Sequence, residues 1–490
     1  DLVELVIKKY DGALKAEHGT GRNMAPFVET AWGSEAYRIM ERLKKCIDPE
    51  NLLNPGVILN KDPQIHIKNL KQLFAVEEEV DKCIECGYCE QVCPSRNLTM
   101  TPRRRIIARR ELKRLQLAGE TGKYRVLLKQ YEYEGLETCA VDGLCASACP
   151  VDINTGDLVK RLRMENHSRL GNLMALFLAK NFRLVEFVLK YMLHAGNRIN
   201  YIFGKQTMYQ ISRLAKKCWR GFPLWTDQIG VPPAIPESNL YFDNGMKKEN
   251  IEVIYFPACI SRLLGNSDGV PNVMETMIRV SKKAGVRVII PKHLTGTCCG
   301  QIFSSKGLTR AYRATVNNII NYLWKASSEG RLPIVTDTSS CAYTFQHIRP
   351  GLTDENKLRF DSMHIMDSVD YLHDVILPLT GRVRKKENVV LHPVCSLGKM
   401  GSSEKFKRIA RHFAKEVTIP IHSGCCGMAG DRGFLFPELT HSATLAEAKE
   451  VSEKKYDGYY SSARTCEMAM AEAVKQNYES IIYLADRAMI

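Results

Sequence analysis

No run of about 20 consecutive apolar residues occurs in the 490-residue sequence, so no helix is expected to span a membrane. No secretory segment is visible either. In so long a chain without one, reduced or metal-bound thiols fit better than a disulfide framework. Acidic residues are the scarcer charge, 54 Asp and Glu against 69 Lys and Arg, giving a formal net charge of +15. No nucleic-acid module is recognisable, and no nucleic-acid partner is expected. The sequence starts at Asp1, not at Met, on Leu2-Val3-Glu4-Leu5-Val6-Ile7, which reads as the middle of a helix and predicts further chain upstream. Apolar content of 45% and charge of 25% are ordinary for a globular protein of roughly three or four domains.

Cysteine is what the chain has in abundance, with 17 residues. The run Cys83-Ile84-Glu85-Cys86-Gly87-Tyr88-Cys89-Glu90-Gln91-Val92-Cys93-Pro94 has the C-x2-C-x2-C-x3-C-P spacing with which bacterial ferredoxins hold iron–sulfur cubanes. Cys139, Cys145 and Cys149-Pro150 repeat the motif with its second cysteine missing. Zinc prefers two separated Cys-x2-Cys pairs and fits this spacing poorly. Three thiolates grip one cluster and the cysteine beside proline reaches the other. Cys83, Cys86, Cys89 and Cys149 are therefore assigned to one [4Fe-4S] cluster, and Cys93, Cys139 and Cys145 to a second. Asp142 stands at the vacant position of the second set. That site is read either as [3Fe-4S] or as [4Fe-4S] with Asp142 or solvent on the fourth iron. The plainer alternative is a turn residue before Gly143. Each four-thiolate cubane adds about two negative charges, so part of the basic excess reads as compensation.

The C-terminal half is an internal repeat. Cys259, Cys298-Cys299-Gly300 and Cys341 recur as Cys395, Cys425-Cys426-Gly427 and Cys466. In both copies an apolar strand-like run feeds the first cysteine, and a long helical stretch, about 308–326 and 438–454, precedes the last. This is a βα-type repeat with cysteines gathered at strand ends, where α/β folds build sites. Four cysteines per copy suffice for one cluster, with each adjacent pair serving different irons. Thiol–disulfide chemistry, zinc and buried free thiols are the alternatives. Cys46 and Cys218 are expected to be buried packing residues. The basic helix after Thr101-Pro102 reads first as a solvated face, and second as a docking surface for an acidic partner or as neutralisation of the clusters. The stripe of Leu173, Leu176, Phe177, Leu184, Phe187, Val188 and Tyr191 reads as core, with membrane-surface contact the alternative.

With these residues laid out, the chain resembles the C-terminal part of FAD- and iron–sulfur-containing D-lactate dehydrogenases and glycolate oxidase fusions. Lys15-Ala16-Glu17-His18-Gly19-Thr20-Gly21-Arg22-Asn23-Met24-Ala25-Pro26-Phe27 and Asp48-Pro49 with Leu53-Asn54-Pro55-Gly56 are similar to the end of the FAD-linked oxidase substrate domain. The cysteine repeats resemble the CCG domains of heterodisulfide reductase, without the second cysteine of its C-x-x-C. The family's preceding FAD-binding domain is absent from this sequence.

The resemblance implies an α+β flavin-oxidase remnant (1–62), an α-helical two-cluster ferredoxin-like domain (63–165), a helical region and linker (166–248), and α/β CCG repeats (249–378 and 379–490). It implies electron transfer from FAD through 4Fe-4S clusters to a quinone, cytochrome or other carrier, within a D-2-hydroxy-acid dehydrogenase. A stand-alone iron–sulfur electron-transfer subunit of heterodisulfide-reductase or anaerobic glycerol-3-phosphate dehydrogenase type is the alternative. Further expectations are a flavin domain or subunit as partner and a cytoplasmic location with peripheral membrane association. On the flavin side, Glu17 and His18 are the catalytic candidates, and Gly19, Gly21, Arg22 and Asn54 the cofactor-side ones.

Overall fold

The computed structural model describes residues 2–14, 21–68, 70, 74–237, 251–266 and 270–490. The chain divides into two compact units, Asp1–Ala75 and Val76–Ile490.

The first unit is built around the amphipathic helix Ser34–Ile47, which follows the shorter helix Val28–Trp32. Asp48 ends the long helix, and its carboxylate accepts the Leu52 and Leu53 backbone N–H groups at 2.9 and 2.8 Å. Among the described residues of this unit there is no strand, so the expected α+β character is represented there by helices and turns alone.

In the second unit the chain first forms a small helical body. Thr101 is the N-cap of helix Pro102–Leu117, with Pro102 at the first position as the sequence predicts. Ile106 and Leu112 from this helix pack with Tyr131, Leu136, Leu158 and Val159. The basic helix is not a solvated face throughout. Arg105 is 1% exposed and Arg110 is 7% exposed, because both turn inward beneath the cysteine loops.

Helices Arg169–Lys180, Phe182–Phe203 and Thr207–Cys218 follow. Here the core expectation is corrected. Leu173, Phe177, Leu184, Phe187, Val188 and Tyr191 are all exposed, and Leu176 is half-buried. The inward positions are instead Ala175, Ala179, Phe182, Glu186 and Gly196, mostly small residues that let the helices lie close to the body. Gly196 lies so near Trp225 that a Cβ there would sit 2.6 Å from the ring. Among the described residues, no helix is long and apolar enough to cross a membrane.

Two four-stranded parallel sheets complete the unit. The first has strands β1 (Glu252–Phe256), β2 (Arg287–Ile289), β3 (Ile334–Thr336) and β4 (Ile365–Asp367), in the order β2-β1-β3-β4. The second has β5 (Lys386–Leu391), β6 (Ala414–Thr418), β7 (Gly458–Ser461) and β8 (Tyr478–Ser480), in the matching order β6-β5-β7-β8. Val253 and Tyr255 of β1 share one core with Val389 and Leu391 of β5. Central strands covered on both faces explain the unbroken apolar runs Val253–Phe256 and Val389–Leu391. In each sheet the strand order reverses beside the first strand, between β1 and β3 or between β5 and β7. Crevices form at such switch points, beyond the carboxyl ends of the strands.

Candidate metal centres

Two loops with the same backbone shape present the ferredoxin-type cysteines. In the first, Glu85 and Gly87 have positive φ (59° and 88°); in the second, Val141 and Gly143 do (52° and 74°). Glycine takes this conformation without strain, while Glu85 and Val141 are held in it. Each loop runs into a one-turn helix carrying the next cysteine, Cys89 in Tyr88–Gln91 and Cys145 in Leu144–Ser147. The loops correspond residue for residue, so Asp142 occupies the place Cys86 holds in the first.

Cys83, Cys86, Cys89 and Cys149 line one cavity. Cys93, Cys139, Cys145 and Asp142 line another. In each cavity the proline-linked cysteine of the other run joins the thiols of the loop. Burial pushes the Cys89 thiol up to about 11 and, with Asp142 adding to it, the Cys145 thiol up to about 12. These sulfurs become thiolates only beside a compensating positive charge.

Asp142 lies among them, half-buried, with its carboxylate enclosed. Its Oδ1 accepts the Leu144 backbone N–H at 3.1 Å, the turn contact the plainer alternative requires, while its Oδ2 has no hydrogen-bond partner. Burial raises its carboxyl above the usual range, and the Cys425 thiol and Lys399 lie beside it. Lys399 Nζ donates to the Asp142 carbonyl at 2.5 Å. The second ferredoxin-type cavity and the second repeat's cysteines therefore meet at Asp142.

Arginines surround both cavities. Arg105 donates to the Gly135 carbonyl at 2.6 Å and to Ser95 Oγ at 3.1 Å, and its guanidinium lies 3.7 Å from Cys93 Sγ. Arg110 donates to the Val80 and Cys83 carbonyls, both at 2.9 Å. Arg163 donates to the Cys139 carbonyl at 2.8 Å and to the Ser305 carbonyl at 2.5 Å, tying the cysteine loop to the first repeat. The burial of Arg105 and Arg110 corrects the solvated-face reading for these two residues.

In the first repeat, Cys259 follows β1, Cys341 follows β3, and Cys298-Cys299 come from the loop after β2. The adjacent thiols diverge. Cys298 Sγ lies 3.8 Å from Cys259 Sγ, and Cys299 Sγ lies 3.3 Å from Cys341 Sγ. The second repeat does the same, with Cys425 beside Cys395 and Cys426 Sγ 3.0 Å from Cys466 Sγ. Both sets sit at the switch points of their sheets. Behind the first set, Arg262 and Glu186 form a fully buried pair at 3.0 Å. Arg262 also donates to the Pro257 and Thr297 carbonyls, fixing the loops that carry Cys259 and Cys298.

Two buried residues that sequence reasoning passed over stand behind the second set. His392 Nδ1 lies 2.8 Å from Glu447 Oε1, and His392 adjoins Cys426. Their only sequence signal is that His392 falls where the first repeat has Phe256.

Cys46 and Cys218 are exposed, which corrects the packing expectation. Cys46 lies on the outer side of helix Ser34–Ile47, of which only Tyr37 is buried, and Cys218 ends its helix beside exposed Trp219.

On the flavin side, the two family-like segments are brought together. Arg22 donates to the Pro55 carbonyl at 3.2 Å, and the Ile58 backbone N–H donates to the Gly21 carbonyl at 3.0 Å. Gly21 and Asn54 both have positive φ in these turns. Glu17, His18 and Gly19 lie outside the described residues.

Three family models match the chain: the C-terminal domain of FAD linked oxidases over residues 1–58, a 4Fe-4S dicluster domain over 79–153, and a cysteine-rich (CCG) domain over 253–346 and again over 389–471. A D-2-hydroxyglutarate dehydrogenase from Pseudomonas putida is 22% identical over 528 aligned positions, covering 94% of this chain and 49% of the relative. A dihydromethanophenazine:CoB–CoM heterodisulfide reductase subunit from Methanosarcina acetivorans is 23% identical, covering 83% of this chain and 91% of the relative. A glycolate oxidase subunit, GlcD, from Bacillus subtilis is 41% identical over 51 residues, 10% of this chain and 11% of the relative. The chain spans about half the length of the D-2-hydroxyglutarate dehydrogenases from Pseudomonas putida and Pantoea ananatis.

Proposed function

We propose that the chain is the iron–sulfur electron-transfer portion of a flavin-dependent D-2-hydroxy-acid dehydrogenase, of D-lactate, glycolate or D-2-hydroxyglutarate type. The observation that carries this reading is the presence, in one polypeptide, of a FAD-linked oxidase segment at 1–58 and four thiols converging at 83, 86, 89 and 149.

The residues present fit iron–sulfur clusters. All donors in the first cavity are sulfur, the loops around it curve inward, and buried arginines stand ready to balance thiolate charge. In this reading Cys83, Cys86, Cys89 and Cys149 hold one cluster. Cys93, Cys139 and Cys145 would hold the second, with Asp142 at the place of the missing fourth thiolate. Cys259, Cys298, Cys299 and Cys341, and Cys395, Cys425, Cys426 and Cys466, hold further centres. Bound clusters supply one-electron storage, which the flavin's two electrons require. The protein's contribution is to hold the thiolates, exclude water with the cores around them, and set charge through Arg105, Arg110 and Arg163. Contact between Asp142 and Cys425 supports a route from the second ferredoxin-type site into the second repeat, and onward to a quinone, cytochrome or other carrier.

Asp142 offers the test. A carboxylate is a hard ligand among soft thiolates, so an iron facing it is held weakly. Oxidised protein is expected to show a [3Fe-4S] EPR signal, and Asp142→Cys, prepared anaerobically and examined in the same oxidised state, holds a four-iron centre and lacks that signal. An unchanged cluster type in Asp142→Cys contradicts the assignment.

The second reading is a stand-alone subunit with no flavin of its own. It is favoured by the match that covers 91% of the Methanosarcina heterodisulfide reductase subunit. The FAD-linked oxidase match at residues 1–58 speaks against it, since a pure electron-transfer subunit has no use for that segment.

A further inference from the structure

The two cysteine-rich repeats are near-copies in backbone that differ in one chemical respect. Ile254 pairs with Ile334 in the first sheet and Val390 with Tyr459 in the second, at the same distance from Cys341 and Cys466. That register sets Phe256 against His392. A Cβ on Gly300 would meet Tyr312 and Val316, and one on Gly427 would meet Leu439 and Ala443, again at equal spacing. This helix register sets Ile320 against Glu447. Phe256 and Ile320 share the first repeat's apolar core. At the same two places the second repeat has a histidine and a glutamate, joined at 2.8 and 3.0 Å through Nδ1.

His392 is 0% exposed and Glu447 is 2% exposed. Burying such a pair carries a desolvation penalty that its mutual attraction need not recover. The first repeat demonstrates that this fold closes over an apolar pair instead, so structure alone gives no reason for the polar one. The free end of the imidazole gives a reason. His392 Nε2 is buried without a hydrogen-bond partner, and a ring nitrogen of His392, Cys426 Sγ and Cys466 Sγ all lie within 4.8 Å of one another. A carboxylate on one ring nitrogen with the other turned toward thiolates is how a metal-ligating histidine is oriented. Imidazole and thiolate donors together suit iron–sulfur centres and zinc.

We propose that His392 Nε2 is a metal ligand in the second repeat, oriented by Glu447. The two repeats then hold different centres: all-thiolate in the first, mixed imidazole–thiolate in the second. The inference rests on the reading that the repeats bind metal. A neutral imidazole adds no negative charge, and histidine ligation raises a cluster's reduction potential. The second repeat's centre, the one that meets Asp142, is therefore the better electron acceptor of the two.

The test uses the full chain, purified anaerobically and reduced with dithionite. Pulsed EPR is expected to show a strongly coupled nitrogen of imidazole type. The double variant His392→Phe/Glu447→Ile recreates the first repeat's apolar pair and so keeps the core filled. In it the nitrogen coupling is lost, while the ferredoxin-type clusters and thermal unfolding are retained. Glu447→Gln keeps the coupling. Iron in the second repeat without a strongly coupled nitrogen, or a coupling unchanged in the double variant, overturns the proposal. Metal analysis separates this from the underlying reading. Metal beyond the two ferredoxin-type clusters but no imidazole nitrogen defeats the role of His392 alone. No metal beyond those clusters defeats both. Zinc in the second repeat with nitrogen and sulfur neighbours at its X-ray absorption edge upholds His392 as the ligand and replaces iron as the metal.

Discussion

Loaded with iron and sulfide but supplied with no further polypeptide, the 490-residue chain is expected to show no 2-hydroxy-acid-dependent dye reduction. A flavin domain fused ahead of it, or added as a separate chain, is expected to restore turnover. Positioning is the reason. A flavin dehydrogenase must hold the isoalloxazine against the α-carbon of its substrate, and the protein supplies that geometry. Such positioning is worth effective concentrations of about 10⁵ M and more, so its presence or absence changes the rate by orders of magnitude. Here the FAD-linked oxidase segment falls within a unit of residues 1–75, and its family-like turns at Gly21-Arg22 and Asn54-Pro55 form a small loop cluster. So short a segment cannot bury most of a dinucleotide as large as FAD. The chain is therefore expected to purify without stoichiometric flavin, yet to accept electrons from dithionite. Tightly bound FAD with D-lactate turnover by this chain alone would overturn the reading. Failure of every flavin domain to restore activity, with the clusters still reducible, would favour the stand-alone subunit.

The second large effect concerns metal removal and thiol chemistry. In iron-loaded protein, iodoacetamide is expected to modify Cys46 and Cys218 and leave the other cysteines untouched. After anaerobic stripping of iron, up to all 17 become reactive. Burial protects most of the remainder, but Cys86 separates metal from burial, because it is exposed to solvent as Cys46 and Cys218 are. Only coordination can shield it. Structural metals contribute about 10 kcal/mol or more to the folding of small domains. The helical body around the first two cavities has a modest core centred on Ile106, Leu112, Tyr131 and Leu158. Stripping is therefore expected to loosen that body and expose Cys93, Cys139 and Cys145. Prompt alkylation of Cys86 in loaded protein would remove it from the ligand set.

Cysteine spacing carried most of what could be read in advance. Iron–sulfur spacing is local, so the run from Cys83 to Cys93 and the gap at Asp142 were visible without a fold. The repeat was visible because duplication left all four cysteines and their flanking strands in place. Three things were not legible. The stripe from Leu173 to Tyr191 has helical period, but period does not say which face meets the body, and small Ala175, Ala179 and Gly196 took the inner side. The arginines of helix Pro102–Leu117 looked like surface charge because sequence does not show that Arg105 and Arg110 turn toward backbone carbonyls. His392 and Glu447 are far apart in the chain, and the fold is what joins them into one hydrogen-bonded pair.

The central claim, that this chain carries electrons through protein-bound iron–sulfur clusters, is tested most directly by quantifying iron and acid-labile sulfide in anaerobically purified protein while following its visible spectrum. The account predicts brown protein with iron and sulfide in near-equal amounts, about seven irons per chain or more if the second site holds three, and broad absorbance that bleaches on dithionite. Colourless protein with stoichiometric zinc and no labile sulfide would contradict it.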